Sequence, residues 1–158
     1  VRPLRSLFRK LMRTDADAVG LTDDLMYEPH LQSAFISYRR PALEHPSFHA
    51  FWNELKVWES KADLIKQCEV ALTAKLFTEG LNLKAIYTDQ SNGNVLHYDW
   101  KSLIIDQEFP FIKVSLLKGN PTQQNTDGWW DLVHSYNPKL AREIQQQLKQ
   151  SDLVAVHG

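Results

Sequence analysis

The chain is short of cysteine. Its 158 residues contain one, Cys68, so no internal disulfide can form, and without a CxxC pair there is no cysteine-based zinc site. It also lacks an excess of either charge: 18 Lys and Arg against 19 Asp and Glu leave a net charge of −1. No global field draws it to nucleic acid, which leaves only a local basic patch for such a role. No apolar run approaches the ~20 residues of a spanning helix, and the start has no signal-peptide core. P-loop, GxGxxG, GxSxG and HExxH patterns are all missing. What remains is ordinary globular usage, 43% hydrophobic and 23% charged, which excludes a collagen-like, low-complexity or wholly disordered chain. The length suits one domain, or one lobe of a larger one, in a reduced, cytosolic-type compartment.

Residues 1–13 carry Arg2, Arg5, Arg9, Lys10 and Arg13, with Leu4, Leu7, Phe8, Leu11 and Met12 at helical spacing. They predict a basic amphipathic helix, which either touches an anionic membrane surface or phosphates, or packs its apolar stripe into a core. A short strand is expected at Ala18–Leu21, ending in an acidic turn, and a second strand over residues 30–38, closed by Arg39, Arg40 and Pro41. A helix over 41–57, broken near His45-Pro46, carries Phe48, Phe51, Trp52 and Leu55 as a stripe. The clearest helix covers 60–79, with Ser60 as N-cap, Asp63 in an imperfect capping box, Leu64, Ile65, Cys68, Ala71, Leu72, Leu76 and Phe77 on its apolar face, and Gly80 after its end. A strand follows at 83–87, then a turn cluster at 89–94. Helices are expected near 99–106 and 111–117, at 129–136, and at 138–148 with Asn137 as cap and Pro138 at the first position. The expected organisation is a single unit over 1–150 with a mobile tail at 151–158, an α/β chain of few strands and packed helices with a helical C-terminal third.

Several groups are candidates for chemistry. Asp15-Ala16-Asp17 is a D-x-D that on a strand would place two carboxylates on one face for Mg²⁺ or Mn²⁺; on a turn they are merely solvated. Asp23-Asp24 follows a predicted strand, where α/β sites are built. His30, Gln32 and Ser33 open the second strand and can hold sugar hydroxyls, or can cap a turn and face solvent. Glu69 lies mid-helix, as a general base or as an exposed partner of Lys66 or Thr73. Trp100, Trp129 and Trp130 fit sugar stacking or core packing.

The residues themselves carry a resemblance. The run from Asp17 through Gly20, Thr22 and Asp23, the segment His30-Leu-Gln-Ser33-Ala-Phe-Ile-Ser-Tyr-Arg39-Arg40, then Phe48, Phe51-Trp52, Ile65 to Glu69, Leu72, Gly80, Phe109-Pro-Phe-Ile-Lys113, Leu116-Leu117 and Asn120-Pro121 resemble the rhamnan synthesis protein F family in order and spacing. The likeness runs from about Val1 to Leu148. It implies a GT-A-like glycosyltransferase of bacterial surface-polysaccharide assembly, of which this chain is the acceptor-side, C-terminal part. The sugar moved is expected to be rhamnose or another deoxyhexose, passed from a nucleotide diphosphate donor to a glycan acceptor. The family's acidic motif resembles an Asn-Asp-Ser lying just before the stretch that Val1-Arg2-Pro3-Leu4 matches. The nucleotide half and its metal ligand are therefore expected upstream of Val1. A divalent cation, Mg or Mn, is expected for the intact enzyme, and neither cofactor nor metal ligand in this chain. Glu69, Leu72, Lys75 and Gly80 reproduce the spacing of an acidic base, Leu, a basic residue and Gly in inverting enzymes, which implies Glu69 as the catalytic base. Asp23, His30, Gln32 and Trp52 are then implied acceptor-side contacts, Trp52 also having a core-packing reading. The expected location is the cytoplasm, on the inner face of the bacterial membrane if residues 2–13 make that peripheral contact, with no nucleic-acid partner. The rival reading is a catalytically inactive truncated module or interaction domain of a polysaccharide assembly complex.

Overall fold

The computed structural model describes residues 2–88 and 93–156, so the expected turn residues 89–92 lie outside the described residues. The architecture is mixed α/β, as the sequence predicts, and it is organised on one central strand, β1 (Ala18–Asp24). β1 is longer than expected, so Asp23 and Asp24 belong to the strand rather than to a turn after it. It is buried almost throughout because it pairs with every other strand of the sheet. β4 (Leu83–Tyr87) runs parallel to it, from Ala18 opposite Leu83 to Thr22 opposite Tyr87. Two antiparallel partners, β2 (His30–Leu31) and β3 (Ile36–Tyr38), replace the single strand expected over 30–38.

The register explains the division. Gly20 faces Ile36 and Asp23 faces Leu31, so three steps along β1 correspond to five along the partner segment. Two residues are surplus, and the chain turns out of the ladder at Ser33-Ala34. Gly20 lies beneath this crossing. A Cβ built there would sit 3.0 Å from Leu31 Cδ2 and 3.2 Å from the Thr22 carbonyl oxygen, so the close approach favours glycine.

Between β3 and β4 come α2 (Arg40–Leu43), α3 (Pro46–Asn53) and a long helix assembled from α4 (Lys61–Leu64), a π-helical turn (Ile65–Val70) and α5 (Ala71–Thr78). Pro46 separates α2 from α3 because it holds His45 extended, and the His45 ring then accepts from Ser47 N. Ser60 Oγ accepts from Asp63 N at 3.0 Å, the expected N-cap, and donates to Asp63 Oδ2 at 2.6 Å, so Asp63 bonds the cap's hydroxyl where a full capping box bonds its backbone N–H. Gly80 closes the helix at φ +83°.

The π turn was not foreseen. Its i→i+5 pattern adds about one residue to that turn and rotates the faces on either side of it. Leu64 and Phe77, assigned to the core by a regular 3.6-residue period, are exposed, while Val70, Leu72 and Leu76 are buried.

The helical C-terminal third consists of α6 (Val95–Tyr98), α7 (Trp100–Asp106), α8 (Val114–Leu117), α9 (Trp129–Tyr136) and α10 (Pro138–Val156), the last preceded by Asn137 as cap. α1 (Arg2–Arg13) buries Leu7 and Leu11 against Val19, Leu21, Tyr87, Leu103 and Phe109. Each such burial contributes about 1.5–3 kcal/mol. Arg39 donates to the carbonyls of Leu11 and Thr14 and pins the exit of α1 to β3. A second core joins Phe48, Leu72 and Leu76, and a third joins Trp100, Ile104 and Leu116, with Trp129 packed against it. Trp100 is thus a core residue whose Nε1 donates to the Asn125 carbonyl at 3.2 Å, not a stacking platform. No helix among the described residues is long and apolar enough to cross a membrane.

Candidate functional site

The C-terminal end of β1 carries a buried polar network. Thr22 and Asp24 are two residues apart and so share one face of the strand. Thr22 Oγ1 donates to Gln32 Oε1 at 2.6 Å, and Gln32 Nε2 donates to Asp24 Oδ2 at 3.0 Å. Asn94 Nδ2 donates to the same Asp24 oxygen at 3.2 Å, and Met26 N donates to Asp24 Oδ1 at 2.8 Å. Three donors around one carboxylate satisfy the charge that burial would otherwise penalise. Gln32, implied as an acceptor contact, has both ends of its amide engaged inside this network.

Beside it lies a second, more open group. Glu69 occupies the π turn, the kind of helical irregularity that recurs at functional sites. Ser33 Oγ donates to Glu69 Oε1 at 2.6 Å, and His30 Nε2 stands 3.7 Å from Glu69 Oε2. His30 Nδ1 is 2.8 Å from the Glu28 carbonyl oxygen, which can only accept. That bond keeps the proton on Nδ1 and turns the Nε2 lone pair toward Glu69 when the ring is neutral. The helix is held to the sheet here by Leu31 N donating to Thr73 Oγ1 at 3.2 Å. The His30 side chain is 2% exposed and that of Glu69 19%, so a half-open carboxylate sits over a buried imidazole.

Cations complete the surroundings. Burial, reinforced by Lys61, pushes the half-buried Lys113 ammonium below its ordinary value, against the opposing pull of Asp24 and Glu69. His97 is buried with Ser115 Oγ 3.2 Å from Nε2 and Thr122 Oγ1 3.0 Å from Nδ1. Its pKa is lowered first by burial and then by Lys113 and Lys61. Sequence reasoning assigned no role to Lys113, His97 or Asn94, and offered Thr73 only as a neighbour of Glu69, whereas its hydroxyl accepts from Leu31 N. The available signal was Lys113 itself, a lone cation within the apolar run 109–117.

The structure brings together Glu69, His30 and Ser33, with Gln32 one hydrogen bond from Asp24. Asp23 pairs through its backbone with Leu31, but strand alternation sends its side chain to the face opposite Thr22 and Asp24. Trp52 packs edge-on against Phe48 and Phe51 on α3, at 6.0 and 5.5 Å between ring centroids, but it is 48% exposed and lies outside the Phe48 core, so the core-packing reading does not hold for it. Asp15 and Asp17 lie at the opposite end of β1. There Asp17 Oδ2 accepts from Asn82 N at 2.8 Å, and the Asn82 amide donates to the Asp15 carbonyl.

No three His, Cys, Asp or Glu side chains converge among the described residues, and Asp24 is already surrounded by neutral donors. The divalent cation that the resemblance implies for the intact enzyme finds no such donor set among the described residues. A groove of about 410 Å³ lined by Phe51, Trp58, Gln67, Ala71 and Lys75 lies on another face of the long helix. Gln67 and Glu69 are two residues apart, roughly half a helical turn, so this groove does not open onto the Glu69 carboxylate.

A family model described as rhamnan synthesis protein F matches residues 1–154, essentially the whole chain and the same stretch that the sequence motifs cover. No curated protein and no solved structure matches.

Proposed function

The chain belongs to the rhamnan synthesis protein F family, which places it in polysaccharide assembly, and from that premise we propose that it forms the acceptor side of a glycosyltransferase with Glu69 as general base. The reaction passes a deoxyhexose, rhamnose in the first instance, from a nucleoside diphosphate to a hydroxyl of a bacterial surface glycan. The lobe is read as part of a GT-A-like enzyme working on the cytoplasmic side of the membrane.

One observation carries the reading. Glu69 is the carboxylate of this cluster that is partly open to solvent, with one oxygen fixed by Ser33 and the other facing a buried imidazole. An acceptor hydroxyl placed at Oε2 gives up its proton as its oxygen attacks the anomeric carbon. The bond from that carbon to the diphosphate breaks, and the electron pair leaves with the phosphate. The protonated carboxyl then has His30 Nε2 beside it as a hydrogen-bond acceptor, which stabilises the acid form as it develops. Lys113, near the carboxylates and without a hydrogen-bonded anion among the described residues, supplies positive charge where the acceptor and leaving group meet.

The test is sugar transfer from a nucleoside-diphosphate rhamnose to a rhamnan acceptor by the full-length protein and its Glu69→Gln variant. Gln keeps the shape and removes the basicity, so turnover should fall by roughly 10²–10⁴-fold, the range for loss of a general base. Melting should stay within about 1 kcal/mol of the parent. Unchanged turnover would reject Glu69 as the base. Lost turnover together with a collapse in stability would make it a structural glutamate, and the assembly-module reading would take its place.

A further inference from the structure

α1 has two apolar stripes, and the fold uses only one. At about 100° per residue, Leu7 and Leu11 form a seam turned to the core, followed around the helix by Leu4, Phe8 and Met12, and then by Arg5, Arg9 and Arg13. Leu7 and Leu11 are buried, while Leu4 is 38%, Phe8 55% and Met12 82% exposed. The apolar residues therefore continue past the seam onto the surface and end against a row of exposed arginines. The helix contains no acidic residue, and none of Arg5, Arg9 and Arg13 is paired with a carboxylate among the described residues. Lys10 is different: it points inward, 3.4 Å from Tyr87 Oη and 3.1 Å from the Gln107 carbonyl oxygen. The unpaired cations of α1 thus lie on the side where the uncovered apolar stripe lies.

We propose that the outer face of α1 docks on an anionic lipid bilayer, with Leu4, Phe8 and Met12 entering the headgroup boundary and Arg5, Arg9 and Arg13 resting on lipid phosphates. Charge complementarity selects this occupant. An apolar stripe alone fits any hydrophobic partner, but a contiguous row of unpaired guanidinium groups with no carboxylate among them fits a dense array of phosphates. Long arginine stems reach phosphates while the shorter apolar side chains enter between the chains. The proposal is independent of the reading of Glu69, since it rests on the exposure and pairing of the α1 side chains alone.

The experiment is vesicle co-sedimentation of the full chain at low salt, with phosphatidylcholine alone and with about a third phosphatidylglycerol. Binding should appear on the anionic vesicles and be at least about ten-fold weaker on the neutral ones. Substituting Arg5→Gln, Arg9→Gln and Arg13→Gln should weaken it roughly five-fold per residue, the effect of about one charge near an anionic surface. Phe8→Ser with Met12→Ser should weaken it by ten-fold or more without moving the melting temperature, because neither side chain is in the core. No binding, equal binding to neutral vesicles, or variants that bind like the parent would overturn the proposal. So would a concentration-dependent dimer in light scattering that Phe8→Ser abolishes, since that assigns the face to a second copy of the chain.

Discussion

Ser33 Oγ donates to Glu69 Oε1 at 2.6 Å, joining two residues 36 positions apart in the chain. Both stand on irregularities, Ser33 on the turn that interrupts the ladder between β2 and β3, Glu69 on the π turn of the long helix. The bond occupies one carboxylate oxygen and leaves the other facing His30. The two distortions of regular structure thus meet at the carboxylate assigned the proton transfer, on the oxygen opposite the one that takes the proton.

Ser33→Ala should therefore lower turnover without unfolding the protein. A hydrogen bond to a charged group is worth about 1.5–3 kcal/mol when shielded, and this one is partly in water, so the expected loss in kcat is about ten-fold. KM for the acceptor should move less than two- or three-fold, since the hydroxyl orients the base rather than the sugar. Steady-state kinetics on the purified full-length variant would settle it, and an unchanged kcat would show that Glu69 does not depend on this bond.

The buried network makes a different demand. Gln32→Ala leaves the Thr22 hydroxyl without its acceptor and removes one of the three donors around Asp24. Unsatisfied buried groups of this kind cost about 1–3 kcal/mol each, so urea unfolding should show a loss of about 2–4 kcal/mol. A loss below about 1 kcal/mol would mean that solvent replaces the amide, and that Gln32 is free to contact a ligand after all.

Much of the frame was legible in the sequence because local rules decide it. Ser60, Gly80, Pro46, Asn137 and Pro138 each fix a helix boundary through their own backbone or side-chain chemistry, and all lie where the sequence predicts. The site was legible only in part. Glu69 and His30 were candidates from the residues themselves and drew their roles from the family resemblance, yet their meeting depends on two surplus residues in one strand and one in a helical turn, and hydrophobic periodicity carries no sign of either. The same insertion misled the assignment of Leu64 and Phe77. Asp24 rather than Asp23 enters the network because β1 runs to its end without a turn, and that parity follows from pairing with β2, a contact made at a distance.

Gly20 offers a test of how tightly the strand crossing sets the site. A methyl group there would meet Leu31 Cδ2 at 3.0 Å and Leu31 Cβ at 3.2 Å, so Gly20→Ala must push Leu31 outward. Leu31 lies between His30 and Gln32 and holds the helix through its own N–H to Thr73. Overpacking of this kind costs about 1–3 kcal/mol, and the shift should reach Glu69 as well. The expected result is a lower melting temperature with a loss of turnover larger than that of an equally destabilised variant in the third core, such as Ile104→Val. Equal losses in the two variants would show that the site tolerates the movement.

The pH dependence of stability should report on His97. Its pKa in the folded chain lies below the ordinary 6.5, first because it is buried and then because Lys113 and Lys61 repel the imidazolium. Between that lowered value and about 6.5 the unfolded chain binds more protons than the folded one, so stability rises with pH across the window. Read the other way, stability present above about pH 6.5 is lost as pH falls through the folded value, with a slope of at most about 1.4 kcal/mol per pH unit for one group. His97→Gln keeps a polar side chain near Ser115 and Thr122 but cannot titrate. Its melting temperature should fall less steeply than the parent's between pH 5 and pH 7, measured by calorimetry in matched buffers. Parallel curves would show that His97 does not contribute. Salt separates the two causes: screening acts on the lysines and leaves burial untouched, and burial is the larger of the two. In about 0.5 M salt the difference between parent and variant should therefore shrink without vanishing. Its complete disappearance would make the lysine charges, not the buried environment, the reason that this imidazole stays neutral.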